Sequence, residues 1–246
     1  MAKPWQVLDN ANTDDGLIEL RQRGEMDFLI TIDNRVLMTS SANQSELTLS
    51  ELACRAMANR TNPRVLIGGL GMAYTLKAAL DNLPAAAEVV VAELNPVVVQ
   101  WCGGPIAHLT DGAVNDPRVT VKIADVATLI THAAMLGDSG RFDAIILDLY
   151  EGPHEGAVEY DHLYGDTALE LSGSALMPGG IFAVWSEDPD KGFERRLADA
   201  GFSFNKERPG RGGRRHVVYI AKRGGPVASR GPRTSPSGRK HGRKKS

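Results

Sequence analysis

The chain has 246 residues, 42% apolar and 24% charged, with a formal net charge of −2; that balance suits one globular domain with at most a small appendage. No apolar run approaches the ~18–20 residues a bilayer-spanning helix needs, and the opening MAKPWQVLDN lacks the apolar core of a secretory signal. Cys54 and Cys102 lie far apart and, like the histidines (His132, His154 and His162 among them), show no metal-ligand spacing, so no metal is expected. Both thiols are expected to be buried as small hydrophobes in a reduced, cytoplasmic protein.

The first informative segment is MDFLITIDNRVLMTS. Two β-rich runs, Phe28–Ile32 and Arg35–Thr39, flank Asp33-Asn34, a pair that tolerates tight-turn geometry, and together they predict a hairpin. SELTLSELACRAMANR follows with helical spacing and Ser45 as its N-cap. From Arg64 onward, strands and helices alternate. Val65–Gly68 is a short buried strand, and Gly71–Asn82 a helix. Strand 88–94 leads to a helix that opens on Pro96, with an interruption at Gly103-Gly104. Strand 118–125 precedes helix Val126–Leu136. Strand 142–150 precedes a helix over 161–177. Strand 181–186, helix 190–200 and two closing strands around the glycine-rich PGRGG complete the pattern. Such alternation predicts an α/β fold with a mostly parallel sheet and an antiparallel terminal strand.

Charge divides unevenly along the chain. Nine Lys or Arg and no acid lie between Lys222 and Ser246, which leaves 19 basic against 30 acidic residues in 1–221, a net charge near −11. An acidic body favours cationic ligands over nucleic acid. The tail from Gly224 is rich in Gly, Pro, Ser and Arg. It buries too little surface to offset ordering entropy and is expected to be disordered. It is read chiefly as a solvated tail, with a salt-sensitive nucleic-acid or membrane-surface arm as the alternative. The expected organisation is an N-terminal hairpin and helix region over 1–60, a catalytic domain over 61–223 and the basic tail over 224–246.

Ligands of open parallel sheets bind beyond the carboxyl ends of the strands. Four successive strand ends carry a signal here. The first ends in Gly68, Gly69 and Gly71, which lack Cβ atoms and let a ligand approach backbone amides. The second ends in Glu93, about 22 residues past Gly71, where an acid grips a ribose diol in dinucleotide folds. The third ends in Asp125, able to accept from an amino group such as adenine N6, or to cap the helix that follows. The fourth ends in Asp148, held at the rim of a cleft as a cation ligand or general base, or paired structurally with an Arg.

Taken in order, RVLIGGLG, VVVAELNP, DPRVTVKIADV and FDAIILDLYEGP resemble the spermidine/spermine synthase family. The resemblance runs over roughly residues 25–222. It implies a class I methyltransferase-like Rossmann sheet with a small N-terminal β region. It implies transfer of an aminopropyl group from decarboxylated S-adenosylmethionine to an amine such as putrescine, with no metal, and often a homo-oligomer. By position, Gln44 matches the family's glutamine before the helix and joins Gly68, Gly69, Gly71, Glu93 and Asp125 on the cofactor side. Asp148 matches the acid that binds and deprotonates the amine. Glu151 stands where the family has a second substrate-binding Asp. Leu70 replaces the Asp usual in the glycine loop, and the family's Tyr-His-Glu-like stretch is not evident near Glu51. Two other readings remain open at this point. One is a class I methyltransferase using S-adenosylmethionine, whose amino-acid carboxylate would ask for a cationic or N–H partner. The other is a non-catalytic nucleoside-binding protein acting through its basic tail.

Overall fold

The computed structural model describes residues 3–153, 161–210 and 216–224. The expected disordered tail beyond Gly224, His154 and most of the PGRGG linker lie outside the described residues.

Two sheets form. The smaller is an antiparallel meander of four strands, β1 (Gln6–Thr13), β2 (Gly16–Arg23), β3 (Asp27–Ile32) and β4 (Arg35–Thr39). The predicted hairpin is its second half. Asp33 (φ 45°) and Asn34 (φ 65°) both take positive φ, the requirement of the tight turn whose twist matches the flanking strands. The first half was not expected from sequence. β1 reads QVLDNANT and is almost wholly exposed; Asp and Asn are depleted in strands, so propensity gave no signal there. In β2, Ile18 and Leu20 alternate and are both buried, the one local strand signal this half carries.

Helix α1 (Gln44–Ala56) follows. It starts one residue before the expected cap. Asn43 precedes it, Gln44 is its first residue, and the Ser45 hydroxyl makes no cap bond. Then come β5 (Arg64–Gly68), α2 (Tyr74–Asn82), β6 (Glu88–Glu93), α3 (Pro96–Gly103), β7 (Val119–Ile123), α4 (Val126–Leu136), β8 (Phe142–Leu147), α5 (Asp166–Ala175), β9 (Leu176–Ser186), α6 (Lys191–Asp199), β10 (Phe202–Glu207) and β11 (Val217–Arg223). The helix expected from Gly71 begins at Tyr74, because Ala73 sits in the left-handed region at φ 65°.

The larger sheet has the order β10-β11-β9-β8-β5-β6-β7. β7, β6, β5, β8 and β9 run parallel, while β11 lies antiparallel between β9 and β10. This is the expected mostly parallel α/β architecture with antiparallel closing strands. Central strands are buried on both faces: Val65, Leu66 and Ile67 are fully inaccessible. One face packs against Leu49 and Ala53 of α1, Leu76 of α2 and Trp101 of α3. The other packs against Ile130 of α4, Leu169 of α5 and Phe193 of α6.

The small sheet adds Ile18, Leu20, Phe28 and Ile30 to the first of these cores. Trp101 Nε1 of α3 also donates to Asp9 Oδ2 of β1 at 2.8 Å. The meander is thereby fastened against the carboxyl ends of β5, β6 and β8. Cys54 and Cys102 are buried, and burial pushes both thiols up to about 12.

Candidate active site

A cavity of about 280 Å³ opens where the two sheets meet. Gly69, Gly71, Glu93, Asp125 and Asp148 all line it. Ile18, Ile30, Ile32, Leu37 and Met38 of the small sheet supply an apolar wall opposite them. Five residues from the ends of four parallel strands thus converge on one space, as switch-point geometry requires.

The glycines serve the protein's own backbone before any ligand. Gly69 has φ +87°, and a Cβ there would overlap the carbonyl oxygen of Asp148. Gly71 has φ +52°, and a Cβ would lie 2.7 Å from Met38 Sδ. At Gly68 a Cβ would meet Leu147 and Val126 side chains at 2.9 Å; Gly68 does not line the cavity. The loop is pinned by Gly69 N donating to Ala92 O and Asp148 N donating to Gly68 O, each at 2.9 Å.

Glu93 is buried at the end of β6. Leu70 N donates to its Oε2 and Asn95 N to its Oε1, both at 2.9 Å. Burial raises its carboxyl above the ordinary value, and the surrounding backbone amides oppose that rise. The same geometry makes Glu93 the tie between β6 and the glycine loop. Glu93→Gln places an NH₂ against a backbone N–H at one of those two contacts. It is expected to lower stability by ~1–3 kcal/mol, read by urea denaturation, and to weaken the affinity of an adenine nucleoside in calorimetry. Unchanged values of both would remove Glu93 from either role.

Asp125 caps α4: its Oδ1 accepts from Ala127 N at 2.8 Å. Its second oxygen makes no hydrogen bond within the described protein, and the residue borders the cavity.

Asp148 follows β8. Its Oδ2 accepts a short hydrogen bond from the Thr75 hydroxyl of α2. Its carboxyl is pushed up to about 7, first by burial and then by the charge of Glu46, with the Thr75 bond acting the other way. No Arg, Lys or His ion pair to Asp148 is present among the described residues. The structural pairing weighed from sequence therefore has no counterpart there.

Gln44 and Glu151 are not brought to the cavity. Gln44 is exposed, and its Nε2 donates to Thr48 Oγ1 at 3.3 Å. Glu151 is drawn outward toward Arg35, 3.9 Å away, and lines a neighbouring depression with Glu187, Asp188 and Asp190. Arg35 also donates to the Tyr150 hydroxyl at 3.0 Å and lies over its ring. Leu70, where the family resemblance leads one to look for an acid, is buried in the core.

Sequence reasoning missed Glu46, Asp15, Tyr150, His162 and Trp185, all of which line the cavity. Glu46 had the weakest signal. An acid in the first turn of a helix is an ordinary complement to the helix dipole. Nothing in the chain spacing shows that it faces Asp148 across 102 residues.

A family model described as the spermine/spermidine synthase domain matches residues 52–192. The chain is 31% identical over 125 residues to a polyamine aminopropyltransferase of Mycobacterium tuberculosis (strain CDC 1551 / Oshkosh), covering 51% of this chain and 22% of that protein. It is 32% identical over 151 residues to polyamine aminopropyltransferase 1 of Hyperthermus butylicus, covering 60% of this chain and 49% of that one. The chain thus spans no more than about half the length of either relative. The solved spermidine synthase from Thermotoga maritima superposes with a TM-score of 0.69 at 20% identity, covering 89% of this chain and 73% of that one. At that identity the likeness is one of fold.

Proposed function

Because the chain belongs to the spermine/spermidine synthase family, we propose that it is an aminopropyltransferase that uses decarboxylated S-adenosylmethionine and a primary amine of the putrescine type. The observation that carries this reading is the cavity's charge. Glu93, Asp125, Asp148 and Glu46 all border it, and among the described residues no Lys or Arg does. The amino-acid carboxylate of intact S-adenosylmethionine would face these acids. The decarboxylated co-substrate presents a cation instead, and so does the acceptor amine.

In this reading Glu93 holds the ribose hydroxyls, and Asp125 the adenine amino group. Gly69 and Gly71 allow the nucleoside close to the loop. The amine nitrogen attacks the aminopropyl carbon bonded to sulfur. The new C–N bond forms as the C–S bond breaks, and methylthioadenosine leaves with the electron pair. The nitrogen must shed a proton, and Asp148 receives it. A carboxylate raised to about 7 is a better base near neutrality than an ordinary one. The apolar wall from the small sheet excludes water from the reacting atoms.

The test is a turnover assay. Purified protein receives each nucleoside co-substrate with a panel of amines, and products are read by mass spectrometry. Methylthioadenosine and an aminopropylated amine are expected from the decarboxylated form only. A methylated product, or no product from any pair, would overturn the proposal.

A further inference from the structure

Two carboxylates that share a cavity without a cation are unusual, because each disfavours ionisation of the other. Glu46 and Asp148 form such a pair. Glu46 comes from the first turn of α1 and Asp148 from the end of β8, and both border the same space. Thr75 links them: its hydroxyl bonds Asp148 Oδ2 and also lies 3.5 Å from the backbone carbonyl of Glu46. Glu46 is buried, and Ser45 Oγ donates to its Oε2 at 2.6 Å. That proton is committed to Glu46, so His216 Nδ1, 3.1 Å from the same Ser45 oxygen, is the donor to it. His216 packs edge-on to Trp185, another cavity residue. Glu46 is therefore held from behind by a serine and a histidine, with its carboxylate turned to the cavity. Neither Glu46 nor Asp148 makes an ion pair with Lys, Arg or His among the described residues. Burying two acids this way is costly unless a cation arrives to offset them.

We propose that Glu46 is a substrate-binding residue, and that with Asp148 it forms the subsite for the ammonium of an aliphatic primary amine. The division of labour follows from position. Glu46 holds the ammonium from the helix side; Asp148 takes one proton from it, the neutral nitrogen then attacks, and the product leaves as a secondary ammonium. Leu70 is turned into the core and offers no acid, and Glu151 is turned out toward Arg35. Glu46 thus supplies the second negative charge. The subsite rests on the aminopropyl-transfer reading for its role in turnover, but not for its binding chemistry.

The experiment measures binding of n-butylamine and 1,4-diaminobutane to protein saturated with methylthioadenosine. Glu46→Gln is expected to weaken both amines by about 10–100-fold, the range for losing a charge-assisted contact. Methylthioadenosine affinity should stay within about twofold. In turnover, KM for the amine should rise, kcat should fall by less than in Asp148→Asn because Asp148 stays in place but loses the neighbour whose charge helps raise it, and Glu46→Asp should restore most of both losses. Should Glu46→Gln fail to fold, Asp148→Asn gives an independent reading. Glu46 is then the one carboxyl group left at the subsite, and the protein should still prefer n-butylamine to 1-butanol. Loss of that preference would overturn the proposal, as would unchanged amine affinity in folded Glu46→Gln, or an equal loss of methylthioadenosine. Amine binding that depends on Glu46 without any aminopropyl transfer would leave this subsite standing and remove the proposed reaction. Transfer that is indifferent to Glu46 would do the reverse.

Discussion

Asp148→Asn is expected to lower turnover by roughly 10²–10⁴ while making the folded protein more stable above neutral pH. The two effects have one origin. Burial, and then the charge of Glu46, push the Asp148 carboxyl up to about 7 in the fold, against 3.8 ordinarily. Between those values the native state holds more protons than the unfolded state, so stability falls as pH rises. The penalty is absent below pH 4 and complete above pH 7. Asparagine keeps the shape, can still accept from Thr75, and carries no charge to desolvate. Its melting temperature should therefore match wild type at pH 4 and exceed it at pH 8. Melting curves at the two pH values, beside single-turnover rates, check the pair of outcomes. A mutant that loses stability at pH 8 and keeps its activity per folded molecule would show that Asp148 is a structural residue.

Gly69→Ala is expected to be the most damaging single-atom change in the chain. The left-handed backbone alone costs an alanine about 1–2 kcal/mol. The added Cβ also overlaps the Asp148 carbonyl oxygen, a backbone atom that cannot rotate away. Relief requires β5 and β8 to separate at their carboxyl ends, where Asp148 N donates to Gly68 O. A total loss of about 3–5 kcal/mol follows. Chemical denaturation would measure it. Whatever protein folds should have lost turnover, because Asp148 is displaced and the loop that lines the cavity at Gly69 is altered. By contrast Gly112, where an added Cβ would meet no atom within 4 Å, should tolerate alanine with the backbone cost alone. Equal stabilities for the two variants would refute the steric account.

The large sheet was legible because its strands are buried on both faces. RVLIG, EVVVAE and FDAIIL are short, apolar and bounded by glycines or acids, and each became a strand within three residues of its expected limits. The strand-end residues Gly69, Gly71, Glu93, Asp125 and Asp148 were found from topology alone, since parallel connections bring such ends together. What failed to show was whatever depends on contacts between distant segments. β1 is stabilised by pairing with β2 and by the Trp101 bond to Asp9, not by its own composition. Glu151 has the right spacing from Asp148, but its side chain lies outward beside Arg35, 116 residues earlier in the chain. Glu46 has no spacing to commend it and reaches the cavity because α1 packs against α2 and the larger sheet.

The meander's apolar wall has a consequence for how specificity could change. Gly69, Gly71, Glu93 and Asp125 belong to the larger sheet; Ile18, Ile30, Ile32, Leu37 and Met38 belong to the smaller. Under the proposed reaction these are two halves of a mould cast from different stretches of gene. Exchanging a β-branched residue for a smaller one in the second half enlarges the cavity without changing any of those four residues. Acceptor scope can then drift, lineage by lineage, over a constant leaving-group chemistry.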